Sequence, residues 1–303
     1  MLDLVCLGEP LIEFNEQPDG RYLRGFGGDV SNCAVAAARL GAKTGLLTRL
    51  GDDSFGDAIT AMLTHEGVDI SAIERDAAVP TGIYFVTHDE GGHHFEYRRA
   101  GSAASLMNRG TLPLDYLRHT RALHVSGISQ AISEGAADAV VMAIETARSA
   151  GALVAYDTNL RTRLWPVCKA RPVIHQALAL CHIALPGFDD AVALTGLTEP
   201  DAIADFYLSL GAQVVALTLG DKGALVATAQ ERQHLPAVPA AHLVDATGAG
   251  DAFDGAFLAE YLKDADPFRA AAFANAAASL SVRGFGAIEP LPRRQQVEAL
   301  VAA

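Results

Sequence analysis

Basic residues are scarce in this sequence. Lys and Arg number 23 against 36 Asp and Glu, a formal charge of −13 at pH 7, and no basic cluster stands out. That sets aside nucleic acid and anionic membrane surfaces as partners. An anionic ligand must then be held by a few local cations. Only four cysteines occur, Cys6, Cys33, Cys168 and Cys181, with no C-x-x-C spacing. The reading is a cytoplasmic protein with reduced thiols. Met1 to Cys6 lacks a basic signal-peptide start, and no apolar run is long enough to span a bilayer. The ten histidines show no H-E-x-x-H or similar spacing. His93-His94 reads as a solvated strand or hairpin rather than a ligand pair. Two nucleotide fingerprints are missing as well. Gly25-Phe26-Gly27 is followed by Val30 where a dinucleotide fold needs Gly, Gly248-Ala249-Gly250 by Phe253 where it needs a small residue, and no G-x-x-x-x-G-K-[ST] exists. A dehydrogenase and a P-loop enzyme are both demoted.

Half of the 303 residues are apolar, enough for a large core. Length alone suggests about two domains, although α/β folds of this size are often one. Short β-rich runs (Leu4 to Leu7, Thr44 to Leu50, Ala122 to Ser126, Leu153 to Asp157, His182 to Leu185, Val214 to Leu219) alternate with helical patterns. The helices are Ser31 to Leu40, Ser54 to Glu66, Glu134 to Ala150, Ala170 to Leu180, two around Asp189 to Leu210, Pro267 to Val282 and Arg293 to Val301. This βαβ rhythm predicts an α/β fold with a parallel sheet covered on both faces. Two stretches break it. Glu9 to Arg24 is β-prone with Pro and Gly, and Thr81 to Arg99 reads as a hairpin turning at Asp89-Glu90-Gly91-Gly92. Together they predict a small antiparallel sheet acting as a lid over one end of the main body; an edge extension or a dimer contact is the alternative.

The most informative stretch is Asp245-Ala246-Thr247-Gly248-Ala249-Gly250-Asp251, which runs into the helical Ala252-Phe253-Asp254-Gly255-Ala256-Phe257-Leu258. Two glycines let the backbone approach a ligand closely, and the helix start aims free N–H groups and a positive dipole end at one point. A carboxylate there opposes a bound phosphate unless it takes a proton from a hydroxyl during phosphoryl transfer. A plain N-cap after a glycine turn is the other reading. Phe26-Gly27-Gly28-Asp29-Val30-Ser31-Asn32 is a second glycine turn before a helix, with Asn32 able to bind a sugar hydroxyl. Thr218-Leu219-Gly220-Asp221-Lys222-Gly223 is a turn whose glycines could admit a nucleotide.

With these three motifs in order, the chain resembles the ribokinase-like sugar kinases, the PfkB family. The first signature matches Gly27 through Gly41 and the second Asp245 through Phe253; Gly51-Asp52-Asp53-Ser54-Phe55-Gly56 and the Thr218 to Gly223 turn match further blocks. The likeness covers nearly the full length. It implies a single ribokinase-like, three-layer α/β domain over 1–303, with a mostly parallel sheet and β lid segments at about 9–25 and 80–100. It implies ATP with Mg²⁺ as phosphoryl donor, Asp251 as general base, and the backbone N–H groups of Ala249, Gly250 and Asp251, with Gly248, as an anion hole. Thr218, Gly220 and Gly223 match the nucleotide loop, and Asn275 falls where the last long helix approaches the adenine. Monovalent-cation activation occurs in parts of the family and is left open here.

Within the family, the likeness is to 2-keto-3-deoxygluconate kinases. It rests on Phe26-Gly27-Gly28-Asp29, on Gly8-Glu9 where ribokinases carry Asn-x-Asp, on Tyr84, Tyr97 and Arg99 of the hairpin, and on Asp157-Thr158-Asn159-Leu160-Arg161-Thr162-Arg163-Leu164-Trp165. Gly28, Asn32, Tyr84, Tyr97, Arg99, Arg161 and Asp251 are thereby the substrate residues. A sugar carboxylate pairs well with a guanidinium, supplied by Arg99 and Arg161, with Arg98 and Arg163 as near neighbours. Two departures stand out. Asp190 takes the place of an Asn-x-x-Glu pattern that helps arrange Mg²⁺, and Ala287 stands where some relatives carry Asp. The expected activity is ATP-dependent phosphorylation of the terminal hydroxyl of 2-keto-3-deoxygluconate. A fructokinase or other sugar kinase is the alternative, and a non-catalytic nucleotide or sugar sensor is the reading from another class. Ile83, Phe85 and Phe95 at alternate hairpin positions suggest a homodimer by lid-to-lid pairing.

Overall fold

A computed structural model describes residues 1–89, 92–240 and 242–302. The strands are β1 (Leu2–Leu7), β2 (Leu11–Glu16), β3 (Tyr22–Gly27), β4 (Thr44–Gly51), β5 (Ile73–Asp76), β6 (Ile83–Asp89), β7 (Gly92–Arg98), β8 (Thr120–Ser126), β9 (Leu153–Asp157), β10 (Ile183–Leu185), β11 (Val214–Thr218), β12 (Ala224–Thr228) and β13 (Arg232–Leu235). The helices are α1 (Asp29–Arg39), α2 (Ser54–His65), α3 (Leu114–Arg118), α4 (Gly127–Ala131), α5 (Glu134–Ser149), α6 (Val167–Leu178), α7 (Phe188–Thr195), α8 (Pro200–Leu210), α9 (Ala249–Asp264), α10 (Pro267–Ser281) and α11 (Arg294–Val301). The main sheet has the order β13-β12-β11-β10-β9-β8-β1-β4-β5. It is parallel from β5 to β11, and β12 and β13 add an antiparallel edge.

Period-two alternation along the strands divides the core. On β1, Leu4 and Cys6 face one side with α1, α9 and α10, while Val5 and Leu7 face the other with α5, α6 and α8. This is the three-layer arrangement the βαβ rhythm predicts. The sequence reading did not anticipate β5 or β13, which are short, half-exposed edge strands with little apolar signal.

The two stretches that break the rhythm form a second sheet of order β3-β2-β6-β7. Both hairpins, β2-β3 and β6-β7, are antiparallel, but they join through a parallel β2-β6 pair. The Glu90-Gly91 part of the predicted turn lies outside the described residues. Asp53 anchors this lid. Its carboxylate caps α2 by accepting from the N–H groups of Phe55 and Gly56, and also accepts from the Thr81 N–H (2.8 Å) and hydroxyl (2.9 Å) just before β6. Among the described residues, no helix is long and apolar enough to cross a membrane.

Candidate active site

The C-terminal ends of the parallel strands open into a cavity of about 730 Å³, roofed by the lid. Open α/β sheets bind ligands at this edge. Strand ends and the loops after them deliver Glu9, Asp157, Asn159, Arg161, Leu185 and Thr218; α1 and α9 deliver Asp29, Asn32, Asp251 and Asp254.

Close packing of α1 on α9 sets the centre. A Cβ at Gly255 would lie 2.5 Å from the Cys33 carbonyl oxygen, so only glycine allows this approach. The contact aligns the two helix starts, and Asn32 Nδ2 donates to Asp251 Oδ2 at 2.8 Å. Gly28 makes the entry to α1. Its φ of 109° is in glycine's region, and a Cβ would collide with the Glu9 carbonyl oxygen and stand 2.9 Å from Pro10 Cα. Gly28→Ala is expected to cost about 1–3 kcal/mol of stability, the range for a side chain forced into such a backbone. Urea unfolding measures it, and an unchanged midpoint would refute the argument.

Gly248 caps α9 in the left-handed conformation (φ 74°). The Ala249 N–H donates to the Ala246 carbonyl at 3.2 Å. The three-donor anion hole expected from the sequence is therefore narrowed. Gly250 and Asp251 are the N–H groups with no backbone acceptor among the described residues. The helix dipole adds its positive end at the same point. Asp245 holds the approach: its Oδ1 accepts from the Thr247 N–H and hydroxyl, and its Oδ2 from the Gly286 N–H at 3.0 Å.

Asp251 lines the cavity with its carboxylate deep among protein atoms. Burial, reinforced by the Asp29 charge, pushes it up to about 7, against the pull of Asn32 and Arg161. Asp157 and Asp254 are raised well above the ordinary carboxylate range, again chiefly by burial. Sequence reasoning gave no role to Asp29, Asp157 or Asp254. The signal for Asp254 was a lone carboxylate in the otherwise apolar Ala252-to-Leu258 run.

The arginines divide sharply. Arg99, expected to bind substrate, is held by Glu9. Arg99 Nε donates to Glu9 Oε2 at 2.6 Å, Ser102 donates to Oε1 at 2.7 Å, and the Glu9 side chain is fully buried. Its guanidinium also stacks on Tyr97. Its charge is thus already matched, and its first duty is to fasten the lid to the loop after β1. Arg163 donates to the Phe95 carbonyl of the lid at 2.9 Å, and exposed Arg98 pairs with Glu96. Arg161 lines the cavity with no carboxylate in salt-bridge contact among the described residues; its hydrogen bond goes to the Leu160 carbonyl at 3.2 Å. Tyr84 stacks on Tyr97 at 5.5 Å and donates its hydroxyl to Glu13. A side chain at Gly27 would strike that hydroxyl.

Gly28, Asn32, Tyr84, Tyr97, Arg99, Arg161, Asp190, Thr218, Gly248, Ala249, Gly250 and Asp251 thus share one cavity. Gly220 and Gly223 lie beyond it in the β11-β12 turn, and Asn275 is not part of its lining. Asn275 donates to the carbonyls of Leu235 (3.4 Å) and Pro236 (3.2 Å), tying α10 to the end of β13. Asp190, read as a metal residue, accepts the Leu160 N–H at 3.0 Å on Oδ2. Among the described residues, no group of three or more His, Cys, Asp or Glu is arranged to hold a metal ion. Such a site fits a Mg²⁺ that arrives on nucleotide phosphates and needs at most one or two protein carboxylates.

Residues 1–294 match the pfkB family carbohydrate kinases. The chain belongs to this family. It is 36% identical to a 2-dehydro-3-deoxygluconokinase of Thermoproteus tenax over all of this chain and 95% of that protein. It is 32% identical to fructokinase-1 of Oryza sativa subsp. japonica, over 98% of this chain and 97% of that one. Among solved structures, an E. coli protein of the ribokinase II type in complex with ATP and Mg²⁺ superposes with a TM-score of 0.91 at 27% identity, covering 100% of this chain and 99% of that one. The chain is an ATP-dependent carbohydrate kinase of ribokinase-like fold.

Proposed function

We propose that this kinase phosphorylates the terminal hydroxyl of 2-keto-3-deoxygluconate (2-dehydro-3-deoxygluconate), giving the 6-phosphate. The observation that carries the reading is Arg161. It is a guanidinium on the wall of an acid-rich cavity with no carboxylate in salt-bridge contact among the described residues, and a sugar acid would supply one. The name of the T. tenax relative supports the same substrate.

In this reading Asp251 accepts the proton of the attacking hydroxyl. The sugar oxygen bonds to the γ-phosphorus as the bond to the β-phosphate oxygen breaks and ADP leaves. The N–H groups of Gly250 and Asp251 stabilise the phosphoryl oxygens, and Asn32 holds the base in line. Mg²⁺, when bound with ATP, neutralises phosphate charge; Asp190, beside Thr218 in the cavity, is the side chain to meet it. Thr218, Gly220 and Gly223 border the nucleotide, while Asn275 supports that border by holding β13. We read the chain as one domain carrying an inserted lid. A homodimer through the lid is supported by exposed Tyr22 and Leu23 on edge strand β3.

The test is turnover with MgATP of 2-keto-3-deoxygluconate, fructose and ribose, with product identification by phosphorus NMR. A kcat/KM for the keto acid at least tenfold above fructose is expected. Efficient fructose phosphorylation with the keto acid ignored would transfer the assignment to a fructokinase, a name that the rice relative carries. Tight ATP binding without turnover of any sugar would point to a sensor.

A further inference from the structure

The described segment between α10 and α11 forms neither helix nor strand, yet it walls one side of the cavity. Ala287 lines the cavity and packs on the glycine turn before α9. A Cβ at Gly248 would lie 3.0 Å from Ala287 Cβ and 3.3 Å from its Cα. The preceding Gly286 N–H donates to Asp245 Oδ2 at 3.0 Å, and Asp245 Oδ1 holds Thr247. The turn that presents the Gly250 and Asp251 N–H groups is therefore braced by a loop without a hydrogen-bond ladder of its own. Polar backbone outside helices and sheets needs other partners. Arg39, in the last turn of α1, supplies them, with its side chain 8% exposed. Its Nη1 donates to the carbonyls of Leu291 (2.6 Å), Ile288 (2.9 Å) and Glu289 (3.2 Å). Its Nε and Nη2 donate to the two carboxylate oxygens of Glu66, the residue that ends α2, at 2.9 and 2.8 Å. This fork fixes the plane of the guanidinium and leaves the third nitrogen aimed at the loop. A lysine could serve one side or the other, since its ammonium is a single point donor. The start of the same helix carries Asn32, which holds Asp251. One helix thus touches the base at its first turn and the wall behind the glycine turn at its last.

We propose that Arg39 is a positioning residue for the phosphoryl donor. By clamping the 288–291 carbonyls it holds Gly286 against Asp245 and Ala287 against Gly248, and so fixes the N–H groups that meet the transferring phosphoryl group. Arg39 touches neither substrate nor base; it acts through the loop. Its effect therefore falls on MgATP and on the transfer step, while the sugar end of the cavity, held by the lid and the loop after β9, keeps its anchors. This deepens the reading above and rests on the placement of the phosphates at Gly250 and Asp251, not on which sugar is turned over.

The experiment measures kcat and KM for MgATP and for the sugar the enzyme turns over, in wild type, Arg39→Lys and Gly248→Ala, with a melting profile for each. Arg39→Lys keeps a cation beside Glu66, and Ile288 and Leu291 still pack into the core, so the variant should fold. Its kcat/KM for MgATP is expected to fall roughly 10–100-fold, the scale of a small misplacement of a reacting group, with KM for the sugar within about threefold of wild type. An unchanged kcat/KM for MgATP, or an equal rise in both KM values, overturns the assignment. Gly248→Ala pushes on Ala287 from the other side and disturbs the same turn directly. A loss of kcat/KM for MgATP in Gly248→Ala alone removes Arg39 from the account; no loss in either variant removes the phosphate placement as well. Should Arg39→Lys fail to fold, Glu66→Gln leaves the carbonyl bonds in place but loosens the fork that aims them. It should show the same split between MgATP and sugar at about threefold to tenfold, and an unchanged kcat/KM for MgATP there also overturns the assignment.

Discussion

Asp251→Asn is expected to lower kcat about 10²–10⁴-fold, the contribution typical of a positioned general base. The substitution keeps the shape of the side chain, and its amide oxygen can still accept from Asn32 Nδ2, which sits 2.8 Å from the carboxylate. The fold and the helix-start N–H groups remain, so KM for MgATP and sugar should move less than tenfold. Steady-state kinetics on a variant with a normal melting profile measure this, and a kcat near wild type would remove Asp251 from the mechanism. The same carboxylate sets a pH dependence. Raised to about 7 by burial and by Asp29, and opposed by Asn32 and Arg161, it is a base only when deprotonated. Wild-type kcat/KM should therefore fall about tenfold per pH unit below pH 7. The stability consequence has the opposite sign. With its folded pKa above the unfolded value of 3.8, Asp251 favours the native state most at acid pH and gives up that contribution as pH rises through 7. The enzyme works in the range where this group stabilises it least, a usual tension at active sites.

Much of this was legible in the sequence because it is local. Alternation along β1 and β9, the helix periods and the glycine turns before α1 and α9 are near-neighbour patterns, while the Asn32–Asp251 contact across the α1–α9 pair comes from the fold. What was not legible is pairing over long separations. Nothing in Tyr97-Arg98-Arg99 says that Arg99 is matched by Glu9, 90 positions earlier, rather than by a substrate. Nor does the Gly-Gly-Asp turn say that Asp29 will meet Ser126 and Asn159 from two other loops. Asn275 is a subtler case. The family resemblance put it where the last long helix approaches the adenine, and in the structure its amide donates to the main chain at the end of β13. A buried amide needs partners, and backbone carbonyls supply them as well as a base would.

Arg161→Ala carries the second large effect, and Arg161 is a cleaner probe than Arg99. Removing Arg99 would strand the fully buried Glu9 carboxylate and damage folding, so lost activity would say little about substrate. Among the described residues Arg161 makes no salt bridge, and its hydrogen bond goes to the neighbouring Leu160 carbonyl. Its loss should leave the fold intact and raise KM for the keto acid roughly 10²-fold, the scale of a charge-assisted guanidinium–carboxylate contact. Lysine should recover only part, since it cannot reproduce the planar fork. Any neutral sugar the enzyme accepts should change less than about threefold, and an equal loss for neutral and acidic sugars would refute the carboxylate role. A second readout is independent of substrate charge. Arg161 pulls Asp251 down from where burial and Asp29 would set it, so the acid limb of kcat/KM should move to higher pH in Arg161→Ala. A guanidinium that both holds the far end of the sugar acid and keeps the base deprotonated would couple recognition to chemistry. Were the limb unmoved while acid binding is lost, Arg161 would hold substrate only, and the base would owe its state to Asp29, Asn32 and burial alone.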